Sequence, residues 1–386
     1  MVCVRGRWAA GSVALVLALT VSCADRREYP GDESGGVPGG AVGAVVVGPL
    51  GLEAVGDEDR TMLFVFDQEG RVVGKALGAA VSNSRVLAGS GRIVTSFADS
   101  VSALAGNGRE RFGIERESIV QAAAGQPGSG AATIWYNTGV VNGEYVNRFV
   151  SIGAGEARRT GQVAGIVGTT SYCGESNYAV VRQSFVGTEQ NPTKNWLYAL
   201  GDDNAPVVRG QWDYDPEFRP VTTTSACTED GGELVALYAS EQTATGGGTG
   251  LTLVRFRTAD GARTETALHM PDFGWETHRG SLTVARGKLY WITRNGEVLS
   301  APLDGTNTVT KEWTVHGPRD KVALSVHGPT VSAISYRGKA EYSRYELATG
   351  RRIAGPVALP WLDDIEGSET ESGGSIYSVA DMTGLG

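Results

Sequence analysis

The chain has 386 residues, with 34 Lys and Arg against 43 Asp and Glu, and its net charge of -9 becomes -11 if an N-terminal segment bearing Arg5 and Arg7 is removed. An acid excess of that size argues against nucleic acid as a partner, because phosphate backbones are held by surplus basic residues. The acids are dispersed along the chain, which implies solubility and a mild bias towards cationic ligands.

The first predicted element is a secretory signal, because Arg5 and Arg7 precede an apolar run from Ala9 to Ser22. At about fourteen residues the run is shorter than the roughly twenty that a membrane-spanning helix needs. It ends in Leu19-Thr20-Val21-Ser22-Cys23, which resembles the bacterial lipobox, with Thr20 where Leu is more usual. The resemblance implies that Cys23 is acylated and becomes the mature N-terminus; an ordinary secretory signal followed by a chance cysteine is the alternative. Two acyl chains hold a protein stably on a membrane where one is marginal. Residues 1–22 are therefore read as signal, 23–43 as an acylated flexible tether and 44–386 as the folded domain. Arginine outnumbers lysine, and Ala, Gly, Val and Thr abound, a usage that resembles GC-rich actinobacteria. On that reading the protein sits on the outer face of the cell membrane and touches the bilayer only through its lipid.

Helical periodicity is almost absent beyond the tether. Short β-rich runs (MLFVF, TIWYN, LVALYA, LTLVRF, KLYWITR, VSAISY) recur between Gly, Asp and Asn turns, which reads as all-β. The apolar residue before each tight turn marks a repeat at Phe66, Leu104, Ile152, Leu200, Phe256, Leu303 and Leu347, at intervals of 38, 48, 48, 56, 47 and 44. Seven units at that period predict a seven-bladed β-propeller with four antiparallel strands per blade. A preceding strand has its own markers at Ile93, Ile134, Ala179, Val235, Tyr290, Ser332 and Ile376. The offset between the two series predicts one composite blade, with inner strands from the C-terminus and outer strands from the N-terminus. Such a blade closes the ring and removes the sheet edge. If AVVVGPLG, residues 44–51, supplied an inner strand instead, the count would be six or eight. A two-sheet sandwich is a third arrangement, but it has no reason to repeat at this period.

Four cysteines are present. Cys3 leaves with the signal and Cys23 takes lipid, so Cys173 and Cys227 remain in the domain, before equivalent strands of consecutive blades. One disulfide is expected in an oxidising compartment, with two free thiols as the alternative.

The turn units FVFDQEGRVV, VRFRTADGARTE, SAPLDGTNTV and YELATGRRIA follow D-x-x-x-G or A-T-G-R after an apolar strand. They resemble the quinoprotein-like (PQQ-type) propeller repeat over about residues 55 to 386. The resemblance implies a blade fold, whether or not a cofactor is bound. Enzymes of that family carry regularly spaced tryptophans that dock blades, and many have an adjacent cysteine pair beside the quinone. Here Trp212 and Trp313 fall near the corresponding outer strand and no adjacent cysteines exist, so no quinone or other cofactor is expected.

Linear signatures of chemistry are absent: the sequence has no G-x-S-x-G, H-E-x-x-H, C-x-x-C or EF-hand loop. Gly70 to Ala76 is one residue short of a phosphate loop and lies on a strand. No two of His269, His278, His316 and His327 have metal-ligand spacing, and no metal site is predicted. Asp213, Asp215 and Glu217 alternate as calcium ligands do, but Pro216 and the missing turn glycine weaken that reading. These observations favour a non-catalytic binding or scaffolding module with an extracytoplasmic protein, peptide or glycan partner. The alternative is an enzyme, either a quinoprotein-like dehydrogenase or a hydrolase or lyase whose site is assembled from loops of several blades.

Three connections between blades are rich in aromatics and acids: Trp212, Asp213 and Asp215; Phe273, Trp275 and His278; and Trp361, Asp363 and Asp364. Exposed on one face, they would suit a cationic, sugar-like or peptide ligand through stacking, cation–π contact and charge. The alternative is that the aromatics pack between blades while the acids face water.

Overall fold

The structure, a computed structural model, describes residues 36–385 except 51–56, 107, 118, 154–157, 185–192, 202–204, 241–249, 271–275, 316–320, 337 and 374. The signal segment, Cys23, Phe273 and Trp275 lie outside the described residues.

Strands come in runs that fold back on themselves. The first three are β1 (Ala41–Pro49), β2 (Arg60–Asp67) and β3 (Val72–Ala79). Blade 2 follows with β4 (Val86–Gly89), β5 (Arg92–Ser96), β6 (Ser100–Ala105) and β7 (Gly108–Gly113). Blade 3 has β8 (Ile119–Gly125), β9 (Ala132–Val141), β10 (Glu144–Ile152) and β11 (Arg158–Ala164). Blade 4 has β12 (Ile166–Cys173), β13 (Ser176–Arg182), β14 (Lys194–Leu200) and β15 (Pro206–Asp213).

In blade 5 the inner strand is broken into β16 (Phe218–Pro220) and β17 (Ala226–Cys227), both paired to β18 (Glu233–Ser240), with β19 (Gly250–Arg257) and β20 (Arg263–Ala267) outside. Blade 6 comprises β21 (Thr283–Ala285), β22 (Lys288–Ile292), β23 (Glu297–Pro302) and β24 (Thr310–Thr314). Blade 7 comprises β25 (Val322–His327), β26 (Thr330–Ser335), β27 (Glu341–Glu346) and β28 (Arg352–Ala358). A short helix, α1 (Pro360–Ile365), then leads to the last strand, β29 (Tyr377–Gly384).

β29 pairs with β1, and the order β29-β1-β2-β3 completes blade 1. Among the described residues the chain is thus a ring of seven antiparallel blades, as its repeat predicts, closed by strands from both termini. The closing blade differs from the expected division, because the C-terminus supplies one strand and the N-terminus three. Residues 44–47 do form a strand, within β1, but it takes the second place in the blade and the count stays at seven. The first described strand, β1, starts at Ala41.

Burial explains the composition of each strand. The second and third strands are covered on both faces by neighbouring blades, so β1 and β2 read as near-continuous apolar runs, with Val45, Val46, Leu63, Phe64 and Val65 fully buried. Fourth strands form the rim, where β15, β20 and β28 are mostly exposed. Blades meet through packed aromatics; Trp135 of β9, fully buried, lies 5.1 Å from Phe149 and donates its Nε1–H to Asn177 of the next blade at 3.3 Å.

Tryptophan docking recurs at three junctions, each time over the turn that joins the third and fourth strands of the next blade. Trp212 of β15 stacks 5.0 Å from Phe256, with the Arg263 guanidinium 5.6 Å from its ring. Trp313 of β24 donates its Nε1–H to the Leu347 carbonyl at 2.7 Å and lies against Gly350, where a Cβ would strike the indole. Trp361 of α1 donates to the Gly70 carbonyl at 2.9 Å. Gly350 and Gly70 both have positive φ, at 68° and 77°, so glycine meets two demands at once: the turn geometry and room for the approaching neighbour.

Candidate functional site

The innermost strands enclose a central cavity of about 670 Å³ lined from every blade. They run in the same direction round the ring, as the parallel bridges Ser82 to Ile119 and Thr170 to Thr224 between neighbouring blades require. The first residues of these strands therefore gather at one end of the cavity and the last residues at the other.

Charge divides along the same axis. At the first end stand Arg85, just before β4, and Asp381 of β29; at the other stand Glu175, Glu229, Asp230 and His327. Arg85 Nε lies 3.4 Å from Asp381 Oδ2, and both side chains are about nine-tenths or more buried. Burial raises the Asp381 carboxyl above its usual range, while the Arg85 charge and the Val86 N–H, donated at 3.0 Å, act the other way. At the opposite mouth the Thr228 hydroxyl and the Gly232 N–H lower Asp230, and Glu229 accepts the Arg286 N–H at 2.8 Å.

Cys173 ends β12 and Cys227 ends β17, so the two occupy matching places on the inner strands of blades 4 and 5, and they form the expected disulfide with Cα atoms 5.3 Å apart. The bridge closes a sequence separation of 54 residues beside the acidic mouth. Replacing both cysteines by serine is expected to lower unfolding free energy by about 2–4 kcal/mol, chiefly through the freedom returned to the unfolded chain. Urea unfolding of oxidised wild type against the double variant measures it, and coincident midpoints would show that the bridge adds nothing.

The residues proposed for an aromatic and acidic face are held at separate blade junctions. Trp212 and Trp361 are engaged in the docking contacts described above. Asp213 is exposed and accepts Lys194 at 2.6 Å, while Asp215 takes the Glu217 N–H at 2.9 Å within its own turn. Asp363 accepts the Ala340 N–H at 2.8 Å, and Asp364 faces solvent. His278 is half-buried before β21, and burial lowers its pKa. Arg85 and Asp381, by contrast, carry no signal in the sequence, since the pair forms only when the ring closes.

Neither protein-family models nor curated proteins match this chain. Solved structures do resemble it. A candidate 6-phosphogluconolactonase from Bacteroides fragilis aligns at TM-score 0.50 and 14% identity over 90% of this chain and 99% of that one. A second such candidate, from Bacteroides uniformis, aligns at 0.46 and 10% over 83% and 98%, and TolB from Acinetobacter baumannii at 0.39 and 13% over 82% of each. At these identities the likeness concerns the fold alone.

Proposed function

We propose that the protein is exported, acylated at Cys23 and displayed on the outer face of the cell membrane as a non-catalytic binding or scaffolding propeller. The observation that carries this reading is the Cys173–Cys227 disulfide, because such bridges persist in oxidising compartments and a sequence with a signal-like N-terminus would deliver the chain to one. The blades are built on a quinoprotein-like repeat used as scaffold, a reading supported by indoles docked over turns at three junctions. A protein, peptide or glycan partner would engage the face where the connections into the inner strands gather, which carries His278, Asp213, Asp215 and Asp364.

Cys23→Ala, or globomycin treatment of the wild type, is expected to release or misprocess the protein, since acylation at that residue is the anchor in this proposal. Membrane and soluble fractions compared by immunoblot decide it; full membrane retention of Cys23→Ala would remove the anchor from the reading.

A further inference from the structure

Arg85 stands at the centre of the ring. Its side chain is 5% exposed, yet it lines the central cavity. Asp381 lies beside Nε at 3.4 Å without a hydrogen bond between them, and neither Nε nor Nη1 has a hydrogen-bond partner. A guanidinium carries one N–H on Nε and two on Nη1, so three buried donors of Arg85 lack an acceptor. Buried charged donors in native folds are paired, because water is no longer there to solvate them.

Three further observations concern the same region. Ser225 Oγ, also buried and unpartnered, lines the same cavity and follows Thr224, whose Oγ1 accepts the Gly280 N–H. Gly280 leaves space there: a Cβ on it would lie 3.8 Å from Arg85 Nη2, and its N–H is held by Thr224 Oγ1 at 3.1 Å. At the rim, Arg279 donates to Asn83 Oδ1 at 2.6 Å and adds a second positive charge.

We propose that this end of the cavity is an oxyanion site, in which a carboxylate or phosphate group accepts the Arg85 N–H groups that make no hydrogen bond and the Ser225 hydroxyl. The planar guanidinium fork matches both groups, which is why arginine serves such sites. The cavity, at about 670 Å³, has the size of a small-molecule site. Glu175, Glu229 and Asp230 line the opposite mouth and repel an anion there. The inference gives the binding role a ligand chemistry and stands whether or not Cys23 is acylated.

Thermal melting of the purified full-length protein in rising inorganic phosphate, and separately in acetate, at constant ionic strength with chloride as reference, tests the site. A saturable rise in Tm with one or both anions is expected; phosphate alone identifies a phosphate group, and acetate alone a carboxylate. Arg85→Gln combined with Asp381→Asn removes both charges together and so leaves no orphaned ion. This double variant is expected to melt cooperatively and to bind about tenfold or more weakly. Should it not fold, Arg85→Lys and Ser225→Ala serve, each keeping Asp381 opposite a cation and each expected to weaken binding several-fold. No saturable effect over chloride in the wild type, or wild-type affinity in the variants, overturns the site.

Discussion

Removing residues 377–386 is expected to abolish the cooperative melting transition of the ring. Those residues contain β29, the innermost strand of blade 1, which pairs with β1 from Gly43 opposite Gly384 to Pro49 opposite Tyr377. The deletion uncovers the inner edge of β1, and an open edge invites pairing with other chains. It also removes Tyr377 and Met382, which are 0% and 2% exposed, and losses of that kind cost about 2–5 kcal/mol each. Asp381 goes with them, leaving Arg85 without its carboxylate, and breaking a buried pair costs about 3–5 kcal/mol more. Together these are comparable with the whole stability of a typical domain, about 5–15 kcal/mol. Circular dichroism and calorimetry of full-length and truncated protein measure the effect. A truncated protein that melts at the full-length temperature would show that the ring does not need this strand.

The repeat was legible because blades impose burial on the same strands each time. The turn markers from Phe66 to Leu347 fall within one residue of the ends of third strands in all seven blades. Ile93, Ile134, Ala179, Val235, Tyr290 and Ser332 lie on second strands, as a regular series should. Ile376 breaks the series: it precedes β29, a first strand, and the true second strand of that blade is β1. The two closing strands are separated by nearly the whole chain, so no local pattern says which of them lies nearer the axis. The disulfide was legible for the opposite reason, since Cys173 and Cys227 end equivalent strands of consecutive blades.

Side-chain roles were harder to read than strands. A tryptophan before acids, as in Trp361-Leu362-Asp363-Asp364, has the same composition on a ligand loop and on a docking element. The deciding fact is the conformation: Pro360 opens a single helical turn that buries Trp361, Leu362 and Ile365 on one side and leaves the two aspartates on the other. Arg85 and Asp381 show the limit more sharply. Each sits among small or apolar neighbours, Arg85 just before an inner strand and Asp381 within one, and only closure of the ring sets the one beside the other.

Trp361→Ala is expected to destabilise the protein by about 3–5 kcal/mol, as large-to-small changes at packed aromatic sites do. The indole is 8% exposed, lies 4.9 Å from Phe64 and 6.4 Å from Phe66, and its N–H reaches the Gly70 carbonyl at 2.9 Å. Phe66 in turn meets Tyr342 of blade 7 edge-on at 5.0 Å, so this single side chain belongs to the packing that joins blade 7 to blade 1. The junction matters because Glu366, just past α1, accepts the Val379 N–H of β29 at 3.0 Å, so loosening of the helix reaches the strand that closes the ring. Trp361→Phe should fall between wild type and Ala: ring contact survives, while the hydrogen bond, about 1 kcal/mol, is lost. Asp364→Asn, on the solvent side of the same helix, should leave the melting temperature within error of wild type, as surface changes do. If the helix also faces a partner, Asp364→Asn will reduce binding at unchanged stability, whereas Trp361→Ala will reduce it only as far as unfolding does. Denaturant melts of the three variants separate these effects, and a Trp361→Ala protein as stable as wild type would return Trp361 to the ligand face and leave the blade junction without its anchor.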